Sequence, residues 1–441
     1  VSITLAPDMT GDRASVRAGL DLATGSVGAA VLRGGELVAR RHLEHDGGDE
    51  AAAVERALAG LCDGIDDGIG DGIDVVTVAT GALREALYEP AELAKVAVIR
   101  LAQAGGTILP PLSGWPDPVK TAAHAASATL PGGHDLSGRE LAPLDPDAIR
   151  RFVERAGVTD VAVCAVGSCA FPDHELTVAE LLRREFPELH LTLSHELGGL
   201  GTRDRENTAV LNAAVRPRAQ RLIDAVEAAG SRLGVATTFV GSDGAMVSAE
   251  YLRRLPAVAL AGDWAAVCVG AAALTGLDRA TVVELRSGRA RVGLMVDRRP
   301  ARPTAPRSVC AIRVGTAIPE FAEVAGPLPG DAPTIVVGEH PEQGWRPPSE
   351  NVRHPPGHDL AAAIGAAASQ PGTSVERLVT ADGAGELERA VAALRDEALA
   401  RVVGAGADAA TARIDDERVT PLSYLPRGVH HIVIRAAGTL P

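Results

Sequence analysis

Apolar residues along this chain fall in short runs bounded by glycine, proline and acids, the signature of strands alternating with helices. Residues 16–22 predict a strand that carries an acid, Asp21, near its end, followed by the small-residue loop Ala23-Thr24-Gly25-Ser26. Two more strands, 27–33 and 36–41, meet at Gly34-Gly35, a pair suited to a two-residue hairpin turn. Helical spacing follows at 51–62 (Val54, Leu58, Leu61), then another apolar strand at 73–79. Three antiparallel strands, a helix and a further strand is the order of ribonuclease-H-like domains.

Residues 104–146, rich in Gly, Pro and His, read as long loops with little regular structure. Alternation then resumes, with helices at 146–156 and 172–186 and strands at 160–166 and 189–193. That pattern predicts a mainly parallel sheet covered on both faces. Residues 207–233 read as a long helical segment that Pro217 interrupts, and 235–240 as a strand. Leu387, Val391, Leu394, Ala398 and Val402 mark a core-facing helical stripe, with Gly404 placed to cap it.

The stretch 281–296 repeats the first unit: an apolar strand, an acid (Glu284) at its end, a short Gly/Ser turn, then a second apolar strand. The repeat predicts two similar lobes facing each other across a cleft. We divide the chain into an N-terminal extension (1–15), a first ribonuclease-H-like lobe (16–200), a second lobe (201–375) and a C-terminal helix–strand segment (376–441).

Composition narrows the function classes. The chain has 441 residues and a net charge of −14, which disfavours a phosphate-backbone binder, so nucleic acid is not an expected partner. Five scattered cysteines without a C-x-x-C pair argue against a zinc ribbon or disulfide scaffold and for a reducing compartment. No apolar leader opens the sequence, and the most apolar stretch, 257–277, carries Asp263, so it reads as buried core; the expected location is cytoplasmic, away from membranes.

Several segments together resemble the hydantoinase/oxoprolinase family, in its short, A-subunit-like form. They are Gly19-Leu20-Asp21 with Thr24-Gly25-Ser26, Thr77-Val78-Ala79-Thr80-Gly81-Ala82-Leu83, and Ser194-His195-Glu196-Leu197-Gly198-Gly199 followed by Arg205-Glu206-Asn207-Thr208. Ser242-Asp243-Gly244 with Ser248-Ala249-Glu250, and Pro421-Leu422-Ser423-Tyr424-Leu425-Pro426, continue the series in the family's order. The resemblance implies an actin-like ATPase fold, α/β with two duplicated lobes and a central cleft. It further implies ATP and Mg²⁺ as cofactors and ATP-dependent ring-opening hydrolysis of a cyclic amide of the hydantoin or oxoproline type. The expected partners are a small-molecule substrate, a second hydantoinase-type subunit and a second copy in a homodimer. The opening loop is equally that of a sugar-type kinase, for which no catalytic base is identifiable.

On the resemblance, Asp21, Asp243 and Glu284 take the catalytic positions, and Thr24, Gly25, Ser26, Gly244 and Gly288 the cofactor loops. The second phosphate loop departs from the family pattern Asp-x-Gly-Gly-Thr-x-x-Asp, reading Glu284-Leu285-Arg286-Ser287-Gly288-Arg289-Ala290-Arg291. Lost glycines remove the close backbone approach that a phosphate nest needs. Arg286 and Arg289, with Arg291 beside them, would instead hold a substrate or anion through their side chains, unless these arginines alternate on the solvent face of a hairpin. The alternative function is therefore a catalytically impaired relative that acts as a ligand-binding or assembly subunit. Of two His-Glu neighbours, His195-Glu196 makes a poor direct dyad, since adjacent strand residues face opposite ways, and His174-Glu175 opens a helix, where the macrodipole favours Asp173 and Glu175 and the reading is structural.

Overall fold

A computed structural model describes residues 3–4, 15–23, 25–44, 50–63, 72–103, 105, 109–286, 289–302, 307–316, 318–319, 321–323, 333–339, 351–423, 425 and 428–441. Strands β1 (Val16–Ala23), β2 (Ser26–Arg33) and β3 (Glu36–Glu44) form the predicted antiparallel meander. Helix α1 (Glu50–Asp63) leads to β4 (Val75–Thr80), which pairs parallel with β1.

The chain then leaves this sheet for an insert. Strand β5 (Val96–Leu101) is followed by helix α2 (Asp117–Ala123), β6 (His124–Leu130), α3 (Pro146–Ala156), β7 (Asp160–Ala165), α4 (Asp173–Glu185) and β8 (His190–Leu193). The four strands run parallel in the order β6-β5-β7-β8. Central β5 and β7 are buried at every position, as a parallel sheet covered on both faces requires. The expectation of structureless loops over 104–146 is corrected by α2 and β6. Strand β6 lies at the sheet edge with alternate residues exposed, and its His-Ala-Ala-Ser-Ala-Thr-Leu sequence carries only one large apolar residue, Leu130, to advertise a strand.

Helices α5 (Thr202–Ala214) and α6 (Arg216–Leu233) split where Pro217 was expected to interrupt, with proline in the first turn of α6. Strands β9 (Ala236–Val240) and β10 (Met246–Ser248) then return to the first sheet, β9 pairing parallel with β4. The break expected near 200 therefore does not separate the two sheets, because the first is completed only at β10.

Helix α7 (Gly262–Thr275), buried along most of its length, precedes the second lobe. Strands β11 (Ala280–Arg286) and β12 (Arg289–Val296) form a hairpin; β13 (Arg299–Pro300) and β14 (Phe321–Glu323) pair with β12, and β15 (Thr334–Gly338) runs parallel to β11. The order β13-β12-β11-β15 repeats the β3-β2-β1-β4 order of the first sheet, the duplication that the sequence echo predicts. Helix α8 (Ala361–Ala368) packs against α7 and against β1. Their contact needs glycine: a Cβ on Gly270 would collide with the Ala361 carbonyl, and one on Gly365 with the Ala266 carbonyl.

The C-terminal unit is an antiparallel sheet, β16 (Gly372–Thr380), β18 (Val429–Ala437) and β17 (Arg413–Pro421), with helix α9 (Ala384–Gly404) across it. Val391, Leu394, Ala398 and Val402 face its core. Gly404 is the last helical residue rather than the cap; Ala405 caps α9 in helical conformation, and the positive φ falls on Gly406. No helix among the described residues is long and apolar enough to cross a membrane.

Candidate functional site at the lobe interface

The strand ends of the two lobes meet where the two phosphate loops were expected. Asp21 sits near the end of β1, and pairing of Ala23 with Ser26 leaves two residues in the first turn, Gly25 at φ 84° among them. Thr24 and Gly288, both assigned to cofactor loops, lie outside the described residues. In the second lobe Glu284 on β11 stands opposite Arg291 on β12, and Arg286 opposite Arg289.

These side chains close on one another. Arg286 reaches across the cleft and pairs with the Asp21 carboxylate, while its Nε lies 3.3 Å from Glu284 Oε1. Arg291 donates from Nε to Glu284 Oε2 at 2.6 Å and from Nη1 to Asp263 Oδ2 at 2.6 Å. Asp263, in the first turn of α7, also accepts a two-pronged bond from Arg84, 2.8 Å for each prong. The result is one chain of alternating charge, Asp21–Arg286–Glu284–Arg291–Asp263–Arg84, with three acids balanced by three guanidinium groups. Trp264 and Phe321 cover it: the Arg291 guanidinium lies 5.6 Å from each ring centroid and that of Arg84 5.7 Å from Phe321.

Its electrostatics follow from the pairing. Burial pushes the Asp263 carboxyl up, but Arg291 and Arg84 outweigh burial and hold it well below the usual carboxylate range. Asp21 raises Arg286 above its ordinary value, against the opposing effect of burial. For Arg291, burial alone would lower the value, yet Asp263 and Glu284 turn the shift upward.

A magnesium nucleotide does not fit this arrangement. Its cation needs several carboxylate oxygens free to coordinate; Glu284 and Asp263 are engaged by arginine at both oxygens and Asp21 at Oδ2, which leaves the buried Asp21 Oδ1 as the one oxygen of the three acids without a partner among the described residues. Its phosphates need backbone N–H groups approached through glycine, and the end of β11 carries the long side chain of Arg286, turned to Asp21 across the cleft. Arg286 and Arg291 do not lie on a solvent face as the hairpin alternative predicts; Arg289 does lie exposed.

The remaining predicted residues lie apart from this chain. Asp243 Oδ1 accepts the Ala245 N–H at 3.0 Å, closing a turn in which Gly244 adopts φ 80°. Asp243 also lines a cavity of about 90 Å³ with Ser242, Tyr251, Thr373 and Arg377. Two members of the charge chain, Arg84 and Asp263, were not assigned from sequence. A lone acid inside an otherwise apolar run was the available signal, since a buried carboxylate demands a partner.

Another buried acid finds an unexpected partner. Glu175 accepts from His195 Nδ1 at 2.7 Å, the His195 N–H at 3.0 Å, Ser194 Oγ at 2.6 Å and the Ala165 N–H at 2.8 Å. Neither neighbouring His-Glu pair is a dyad; α4 and the turn after β8 bring one member of each together. Burial raises the Glu175 carboxyl, but the bonds from His195 and Ser194 outweigh it and leave it lowered.

Comparison with solved structures defines the class. The nucleotide-free structure of an acetone carboxylase superposes with a TM-score of 0.68 at 11% identity, covering 97% of this chain and 88% of the other. An ATP-dependent caprolactamase from Pseudomonas jessenii gives a TM-score of 0.66 at 13% identity, covering 98% and 89%. The fold is the two-lobe, actin-like ATPase architecture.

Two family descriptions match within it: the hydantoinase/oxoprolinase N-terminal region over residues 29–186 and hydantoinase/oxoprolinase over 205–297. The chain belongs to the hydantoinase/oxoprolinase family. A search of curated proteins by sequence finds no match.

Proposed function

We propose that this protein keeps the family's two-lobe scaffold without its phosphoryl-transfer chemistry and serves as a ligand-binding or assembly subunit, located in the cytoplasm. One observation carries this reading: Arg286, at the end of β11, pairs with Asp21 across the cleft. With every acid of the site neutralised, neither a metal-bound phosphate nor a water-activating base has a place there. Binding of a second hydantoinase-type subunit, or self-association as a homodimer, is the assembly role the family suggests.

The second reading is the inherited one, ATP-dependent ring-opening of a cyclic amide of the hydantoin or oxoproline type. Family membership favours it, and so does the shared fold with a caprolactamase that is itself ATP-dependent. Under it, Asp21, Glu284 and Asp243 would face the reacting groups after the arginine chain opens.

Calorimetry with Mg·ATP on the wild-type protein and on Asp21→Ala separates the two. The proposal expects no heat of binding from either protein. Saturable binding by the wild type that Asp21→Ala abolishes, together with ATP-driven opening of hydantoin or 5-oxoproline, establishes the second reading instead.

A further inference from the structure

A larger cleft, about 670 Å³, opens on the other side of the Ser242-Asp243-Gly244 turn. Its walls come from the end of α7, the β12–β13 turn, the segment after α8, and strands β17 and β18. This volume lies in the range of sites that take small organic ligands. The lining is rich in arginine, five residues against three aspartates.

Two of those arginines are held without adequate partners. Arg435 is 9% exposed, and its Nε and Nη2 are buried with no hydrogen-bond partner among the described residues. The Asp415 carboxylate stands 3.6 Å from Nε, near enough for attraction but beyond hydrogen-bond range. Arg299 Nη1, contributed by β13, is likewise buried without a partner among the described residues. A buried guanidinium lacking acceptors loses its hydration without compensation, which folded proteins tolerate where a ligand supplies the acceptors. Two such groups lining one cleft, one from β13 and one from β18, make a receptor for anionic oxygens, the role to which the planar arginine fork is suited.

The same wall offers acceptors. Asp415 and Asp416 line the cleft, and Asp416 lies 3.5 Å from the Arg418 Nε. A ligand that satisfies the wall therefore carries hydroxyl donors beside its charged groups.

We infer that this cleft binds a hydroxylated organic polyanion between Arg299 and Arg435. The inference does not depend on whether the lobe interface turns over ATP. Polyol phosphates and hydroxy-polycarboxylates share this chemistry, and titration distinguishes them.

The test is calorimetric titration of the full chain with citrate and, separately, ribose 5-phosphate, at fixed ionic strength. At least one probe should bind saturably near one site per chain. Arg435→Gln and Arg299→Gln should each weaken that binding by about tenfold or more, the loss expected for a charge-assisted bond. Arg395→Gln, at an exposed pair with Glu417, should leave it unchanged, and so should Arg286→Gln at the lobe interface. Citrate binding alone assigns a polycarboxylate, ribose 5-phosphate binding alone a phosphate ester, and both support the site. Absence of saturable binding by both probes overturns the proposal. So does binding that survives both cleft variants or is lost in Arg286→Gln. Where Arg435→Gln does not fold, Arg299→Gln decides the question.

Discussion

Two groups of arginines, buried or half-buried, stand in opposite electrostatic condition in this molecule. At the lobe interface Arg84, Arg286 and Arg291 are all bonded to carboxylates, and Arg84 and Arg291 are also capped by aromatic rings. In the cleft beside the C-terminal sheet, Arg299 and Arg435 keep buried nitrogens without acceptors. The first group fills its own site and holds the lobes together. The second is incomplete among the described residues, and the proposed ligand would complete it. Arginine content therefore says little by itself; the state of its acceptors separates a closed site from an open one.

The largest test of this contrast is Asp263→Ala, which takes from Arg84 its carboxylate partner and leaves Arg291 with Glu284 alone. Removing one side of a buried ion pair costs about 3–5 kcal/mol, so urea unfolding should show a loss of that order. A loss near zero would mean that the chain of charges does not hold the interface.

A buried acid outside both arginine groups provides a calibration. Glu175→Gln should cost about 2 kcal/mol at neutral pH, since bonds to a charged acceptor are replaced by weaker ones. Because the folded-state value of Glu175 is lowered, its stabilisation is fully present above the unfolded carboxyl range and is lost as pH falls through the folded value. Wild-type stability should therefore decline on acidification below about pH 4.5, and the variant should show a shallower acid limb in pH-dependent denaturation.

The cleft predicts the reverse sign. Arg435→Met removes an under-compensated charge, so without ligand it should leave stability unchanged or raise it by about 1 kcal/mol. A loss of several kcal/mol on thermal or urea unfolding would class Arg435 with the interface arginines. The smallest effect falls on Arg286→Ala. The Arg286 side chain is 34% exposed, and solvent screening should hold the loss to about 1 kcal/mol or less. Interface closure by this residue then appears in Mg·ATP titration rather than in the melting curve.

The placement of Asp21, Glu284 and Arg286 was legible in the sequence because each stands at the end of an apolar strand in a repeated pattern. The duplicated strand order was legible for the same reason. Arg84 and Asp263 were not, as they meet only because α7 starts beside the end of β4. The pairing of Glu175 with His195 shows the same limit, since adjacency in sequence pointed to two pairs that the fold does not make. The insert's edge strand, β6, escaped notice because small residues give weak periodicity. Whether Arg299 and Arg435 have partners depends on what surrounds them in space, and no local pattern encodes it.

The return of β9 to the first sheet also sets an order of events during synthesis. β4 leaves the ribosome long before β9, with residues 81–235 between them, and the face of β1 that α8 covers stays open until residue 368 has emerged. The insert, whose parallel strands are close in sequence, has all its pairing partners available far earlier. Contacts closed by shorter loops form sooner. The first lobe is thus completed late relative to the insert, and the apolar strands β1 and β2 of its meander wait, half covered, until α8 has been made.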